Sequence, residues 1–210
     1  MYRSFDMVVL TQSIKHREYC VAGIDVHTGQ WIRLVSDDTD TEGALTRKDL
    51  TMDNNNLVSL LDVVHVENAE YYPRHIQTEN FRIDRNYNLS YLGSTTIGEV
   101  LNRYPQPVKQ EVFIGSSATI QPSYAERMDH SLELHAVKNL TLYKIGKSKA
   151  DFYIGSKHFC GFSVTDQRYY DYSESGLTID SAFIVCSLPD DQWAKDNCYY
   201  KFIAAIYKTL

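Results

Sequence analysis

Apolar positions along this chain recur mostly at a spacing of two, in short runs separated by turn residues, and that pattern predicts strands. Met7-Val8-Val9-Leu10-Thr11 is the first such run, and Tyr19 to Asp25 follows it after a basic tip. His27-Thr28-Gly29 supplies the turn for a hairpin into Gln30 to Ser36, with the glycine taking a positive φ that a β-branched residue resists. Three consecutive antiparallel strands are therefore expected. Asp37 to Asn56 is polar, acidic at its start, and reads as a loop or insertion. Leu60 to Val66 resumes the strand pattern, and Asn80 to Ile83 is a further candidate. One short helix is predicted in the middle of the chain: Thr96 caps it, Glu99 completes a capping box, and Pro105 and Pro107 end it.

Residues 105–130 carry Pro105, Pro107, Gly115 and Pro122 without periodicity and read as a connecting segment. Beyond it the strand pattern returns at Leu132 to Val137, Leu140 to Tyr143, Phe152 to Ile154, Phe159 to Thr165, Ser181 to Leu188 and Tyr199 to Tyr207. The chain is thus mainly β with minor α. Its punctuation fits two partly closed barrels, residues 1–110 and 125–210, and fits a single mixed sheet nearly as well.

With 210 residues, 43% hydrophobic and 23% charged, the chain has enough apolar material for a core without staples. Three of its four cysteines (Cys20, Cys160 and Cys186, but not Cys198) sit in apolar strand-like runs and none is closely paired, which points to buried, reduced structural thiols. The opening residues include Asp6 and no long apolar core, so no signal peptide is expected. No run approaches the ~18 apolar residues of a membrane helix. A cytoplasmic protein with no membrane partner is expected. The net charge of -6 repels a polyanion overall and confines any nucleic-acid binding to a local groove.

Cys20-Val21-Ala22-Gly23-Ile24-Asp25 followed by Thr28-Gly29-Gln30-Trp31-Ile32-Arg33 resembles the opening of the dual OB-domain family of prokaryotes. Leu61 to Val64, Gln77 to Asn80, Val164 to Asp166 and the closing Cys198 to Ile206 extend the resemblance, in order, over nearly the whole chain. Leu34 stands where the family pattern has proline, and Ile76 where it has histidine, with His75 one place early. The resemblance implies two OB-like barrels packed together and a nucleic-acid role in prokaryotic defence systems. It carries over no catalytic residues.

Candidate nucleic-acid contacts follow. Alternation puts Trp31, Arg33 and Val35 on one strand face, a ring beside a guanidinium, as OB folds use to stack bases and hold backbone. The competing reading packs Trp31 and pairs Arg33 with Asp25 or Glu79. Lys15, His16 and Arg17 form the tip between the first two strands, where OB folds contact ligands, although a solvated hairpin tip looks the same. Gln77, Glu79 and Asn80 could read base edges or a small ligand, or satisfy a local turn. Lys138, Lys144, Lys147, Lys149, Lys157 and His158 lie in a stretch whose single acid is Asp151, either a phosphate-tracking edge or lysines that blunt a sheet edge. The sixteen tyrosines read mainly as packing.

Enzyme signatures fail. Gly146-Lys147-Ser148 ends like a phosphate-binding loop, but Thr141 occupies the position of its first glycine. There is no nucleophile elbow, no zinc helix, and no histidine spacing typical of a metal site. The expectation is a non-catalytic module without cofactor or metal that binds single-stranded DNA or RNA beside a separately encoded effector protein. The alternatives are a small-ligand sensor or protein-interaction adaptor, and a nuclease using Asp62, Glu79 and Asp166.

Overall fold

The structure is a computed structural model that describes residues 1–15, 18–37, 41–170, 176–193 and 195–209. These divide into two compact units, Met1–Arg74 with Thr78–Pro105 and His75–Gln77 with Gln106–Leu210.

The first unit contains β1 (Tyr2–Lys15), β2 (Glu18–Asp25), β3 (Trp31–Val35), β4 (Asp62–Tyr71), β5 (Asn80–Arg82), β6 (Ser90–Ser94) and helix α1 (Ile97–Arg103). β1 pairs antiparallel with β2 and β2 with β3; β3 runs parallel to β5, which pairs with β4, and β4 returns to β1. These pairings close a five-stranded ring, with β6 appended to the edge of β4. Its core comprises Phe5, Met7, Val9, Val21, Ile32, Leu34, Val64, Val66 and Phe81, the inward half of each alternating strand, closed by Leu45, Leu50 and Met52 from the long β3–β4 connection. Helix α1 begins as its capping box dictates: Glu99 N donates to Thr96 Oγ1 at 3.2 Å and Thr96 N donates to Glu99 Oε2 at 2.9 Å.

The second unit contains β7 (Thr119–Ile120), the short helix α2 (Pro122–Ala125), β8 (Leu132–Ile145), β9 (Lys147–Ile154), β10 (Lys157–Val164), the short helix α3 (Gln167–Tyr170), β11 (Leu177–Ser187), β12 (Tyr199–Tyr200) and β13 (Phe202–Lys208). β8, β9, β10, β13 and β11 form a closed barrel in which β10 and β13 are the parallel pair. Phe152 lies at its centre, stacked on Phe159 at 5.1 Å and edge-on to Phe162 at 5.0 Å. Both rings share one order, first–second–third–fifth–fourth–first, with only the third and fifth strands parallel. The fold is therefore mostly β with two OB-like barrels.

Segment 106–130, featureless in sequence, belongs to the second unit, where Val112, Ile120 and Ala125 are buried. One cysteine departs from expectation. Cys186 and Cys198 are buried and Cys20 is half-buried, but Cys160 is exposed. Alternation along β10 turns Phe159 inward and so turns Cys160 outward, which an apolar run read without its register does not reveal. No helix among the described residues is long and apolar enough to cross a membrane.

Candidate nucleic-acid interface

The first barrel distributes the sequence-derived candidates unevenly. Lys15 ends β1 and pairs with Glu18 across the first turn, while His16 and Arg17 lie outside the described residues. Trp31 opens β3 opposite Ile24 and is partly exposed. Ile32 and Leu34 enter the core, so Trp31, Arg33 and Val35 do share the outward face, yet that face is largely covered: Arg33 is 6% exposed, and Ala22 and Ile24 beside it on β2 are 1% and 0%. The Arg33 guanidinium stands 3.4 Å from the carboxylate of Glu79, itself buried, and the Arg33 backbone N–H donates to Glu79 O at 2.9 Å. Asn80, fully buried, pairs with Arg33 in the parallel β3–β5 register. These three residues fasten the strand pair that closes the barrel.

Gln77 belongs to the second unit, where its side-chain amide donates to Leu188 O at 3.0 Å. Ile76 beside it joins a small core with Ile120, Ala125, Leu188 and Tyr199, and His75 stacks on Tyr199 with centroids 6.0 Å apart. The polar run Gln77 to Asn80 is thus divided between two units.

OB barrels meet their ligands on the face of the second and third strands and at the loop joining the first two. In the second barrel these are β9, β10 and the turn Ile145-Gly146-Lys147, and the basic stretch of the sequence falls on them. Cross-strand register lines up three outward rows. Lys138 of β8 lies opposite Tyr153 of β9, which faces His158 of β10. Thr141 lies opposite Asp151, and Tyr143 opposite Lys149, which faces Ser163. The Tyr153 and His158 rings stack 4.4 Å apart at an interplanar angle of 15°. Lys144 and Lys147 stand exposed on the turn around Ile145, which is 73% exposed.

The surface is ordered by its own contacts. Tyr143 O–H donates to Asp151 Oδ1 at 2.8 Å; burial and then the Asp151 charge push the phenol up to about 12, so it stays a neutral donor. Lys149 Nζ donates to Ser163 Oγ at 2.8 Å and Gly161 O at 3.3 Å, and burial, then Lys147, lowers its ammonium from the ordinary value. Lys157 is neutralised by Glu111 at 2.5 Å. Among the described residues, Lys138, Lys144 and Lys147 remain as outward cations. The sequence located these lysines but not Tyr143 and Tyr153 as the rings among them. Their signal was the period-two order Lys149, Asp151, Tyr153 on one strand.

Asp62, Glu79 and Asp166 hold other partners. Asp62 accepts from Ser59 N, Glu79 faces Arg33, and Asp166 accepts from Arg168 and from Ile206 N.

A family described as "Dual OB-containing domain" matches residues 5–206. No curated protein shows a significant match. Among solved structures, a murine DNA binding protein bound with ds DNA is 7% identical, covering 99% of this chain and 96% of that one at a TM-score of 0.37. A HINb domain is 8% identical over 96% of this chain and 97% of its own, at a TM-score of 0.40. A HINa domain in complex with 20 bp dsDNA is 8% identical over 99% and 97%, at 0.38.

Proposed function

The chain belongs to the dual OB-containing domain family, and from that premise we propose that it is a non-catalytic nucleic-acid-binding module whose second barrel presents the main contact surface. One observation carries the reading: the Tyr153–His158 stack lies on the outward face of the second and third strands, with Lys138 in the same row and Lys144 and Lys147 further along that face, on the turn at the other end of β9. A flat ring pair beside Lys138, with two further cations along the same face, suits unpaired bases better than a closed duplex, so the ligand is single-stranded DNA or RNA. The net charge of -6 makes this face a local exception in the molecule's field. A second, smaller contact is assigned to the basic residues Lys15, His16 and Arg17 of the first barrel; Trp31, opposite Ile24 at the other end of β2 from Lys15, belongs to a different part of its rim. Arg33, Glu79 and Asn80 hold that rim in shape from within. We further propose that the module works beside a separately encoded effector in a prokaryotic defence system.

Fluorescence anisotropy with short single-stranded DNA and RNA at low salt tests the proposal. Tyr153→Ala is expected to weaken binding by about 5- to 150-fold, the range of one lost stacking contact of about 1–3 kcal/mol. Lys144→Ala combined with Lys147→Ala is expected to lower the slope of log K against log salt by about 1.4, or about 0.7 for each phosphate contact to a single strand. Lys15→Ala with Arg17→Ala measures the first barrel separately. Absence of binding at low salt, or affinity and salt slope unchanged in all three variants, overturns the proposal.

A further inference from the structure

The face formed by β9 and β10 also gathers a group that the nucleic-acid reading uses only in part, through His158. Asp151, His158 and Cys160 each bring one ligand atom to a point where all lie within 4.8 Å of one another. Alternation puts His158 and Cys160, two apart on β10, on the outward side. A β-bulge between Phe159 and Phe162 then displaces Cys160 toward Asp151 on the neighbouring strand, with Gly161 taking a φ of 75° that a β-branched side chain would resist. Bulges commonly re-aim a side chain in this way.

The carboxylate of this group is also held in place. Asp151 Oδ1 accepts hydrogen bonds from Gly161 N and from the Tyr143 hydroxyl, both at 2.8 Å, which orients the carboxylate and leaves Oδ2 for a ligand. The His158 ring rests on Tyr153. Cys160 Sγ lies 3.3 Å from His158 Nδ1. In a tetrahedral zinc site, with metal–sulfur bonds of about 2.3 Å and metal–nitrogen bonds of about 2.0–2.1 Å, the two ligand atoms stand about 3.5 Å apart. The separation is close to that value, but Sγ also lies 3.6 Å from Nε2 and so sits over the imidazole face, and a turn of the exposed His158 ring aims a nitrogen lone pair at the shared ion.

We propose that Asp151, His158 and Cys160 form a three-ligand site for a zinc-class divalent cation, with the fourth position open to solvent. The donors select the ion: thiolate and imidazole favour zinc and its soft neighbours and disfavour magnesium and calcium, which take oxygen. Three protein ligands with one open position is a common zinc arrangement. On binding, the Cys160 thiol gives up its proton to solvent as the sulfur–metal bond forms, so one proton is released per ion from this residue. The nearby cations work against the site only in part: Glu111 balances Lys157, and Lys149 is tethered to Gly161 O and Ser163 Oγ. This site is independent of whether the face binds nucleic acid.

Titration of the reduced, metal-free, full-length protein with Co²⁺, followed by displacement with Zn²⁺, tests it. The expected result is one cobalt per chain, with the near-ultraviolet thiolate-to-cobalt band and the intense visible bands of a tetrahedral ion, all bleached by zinc. Cys160→Ser, at an exposed position that leaves the core intact, is expected to abolish the thiolate band. Tyr143→Phe, which removes one of the two hydrogen bonds orienting Asp151, is expected to weaken cobalt binding by about 10- to 100-fold, as loss of an orienting partner does elsewhere. No thiolate band in the parent protein overturns the proposal, as does a band that survives Cys160→Ser and so belongs to Cys20, Cys186 or Cys198.

Discussion

Glu133→Ala is expected to destabilise the second barrel by about 3–5 kcal/mol, the cost of removing one partner from a buried charge network. Glu133 lies on β8, 4% exposed, and its two oxygens serve four donors. Lys109 Nζ and His130 Nε2 converge on Oε1; His135 Nε2 at 2.8 Å and the Phe113 backbone N–H at 2.6 Å converge on Oε2. Alanine leaves His135, 1% exposed at its side chain, and the Phe113 N–H without an acceptor inside the protein. It also releases the segment that these donors anchor. Val112, between Lys109 and Phe113, is completely buried in the barrel core, and Lys201 holds the next stretch by donating to Ile114 O at 2.7 Å and Gly115 O at 3.2 Å. Burial pushes the Lys201 ammonium down to about 8, so this second tether keeps most of its charge at neutral pH. Urea denaturation followed by circular dichroism is expected to show a midpoint lower by at least about 1 M, given m-values of about 1–3 kcal/mol/M for small proteins. An unchanged midpoint would show that the network contributes nothing.

The same network has a pH signature. Burial alone would raise the Glu133 carboxyl, but the hydrogen bonds from His130, His135, Lys109 and Phe113 outweigh it and hold the group well below its ordinary 4.5. The unfolded chain therefore binds the proton more readily, so this contribution is complete above about pH 4.5 and is lost as pH falls below it. His130 behaves oppositely. Its hydrogen bond to Glu133 raises it above 6.5, so that contribution is present below 6.5 and fades as pH rises through the raised value. The stability difference between the parent protein and Glu133→Gln is therefore expected to peak between about pH 4.5 and 6.5 and to shrink on either side. Midpoints measured in a series of buffers check this directly.

Local pattern carried the strands well and their partners poorly. The hairpin at Gly29, with φ 71°, the capped helix at Thr96 and most strand positions follow from alternation and turn chemistry alone. Leu132 to Val137 and Leu140 to Tyr143 looked like two strands but form the single strand β8, because Asn139 takes a φ of 49° at a register shift that interrupts the alternation without ending the strand. The first half of β9, Lys147-Ser148-Lys149-Ala150-Asp151, has little strand propensity of its own and is extended because β8 and β10 flank it. The parallel pairs that close each ring, β3 with β5 and β10 with β13, join residues far apart in sequence and leave no local mark. The same limit governs the site. Alternation identified the strand face that carries Arg33 but not its burial, and a lysine count found the basic stretch without the rings that cross-strand register places among its members.

Gly23→Ala is expected to prevent the first barrel from closing. A Cβ at this position would lie 1.8 Å from the Val8 carbonyl oxygen and 2.9 Å from Met7 Cε. The methionine could move, but the oxygen belongs to a strand that is paired on both sides. Val8 faces Ile24 on β2 and Val63 on β4, and the β1–β2 register shifts immediately after the Val9–Gly23 pair. Relief of the clash therefore requires β1 to separate from one neighbour. Overpacking of a core typically costs about 1–3 kcal/mol, and a collision with fixed backbone belongs at or above the top of that range. The expected outcome is a protein that is insoluble on expression, or that melts at least 10 °C below the parent, taking about 4–8 °C per kcal/mol for a domain of this size. Gly98→Ala provides the contrast: its Cβ would meet nothing closer than Thr96 Oγ1 at 3.9 Å, inside helix α1, where alanine is favoured over glycine by up to about 1 kcal/mol. A small rise in melting temperature is expected there. If both variants melted with the parent, the approach of β2 to Val8 would not be the constraint that makes position 23 glycine.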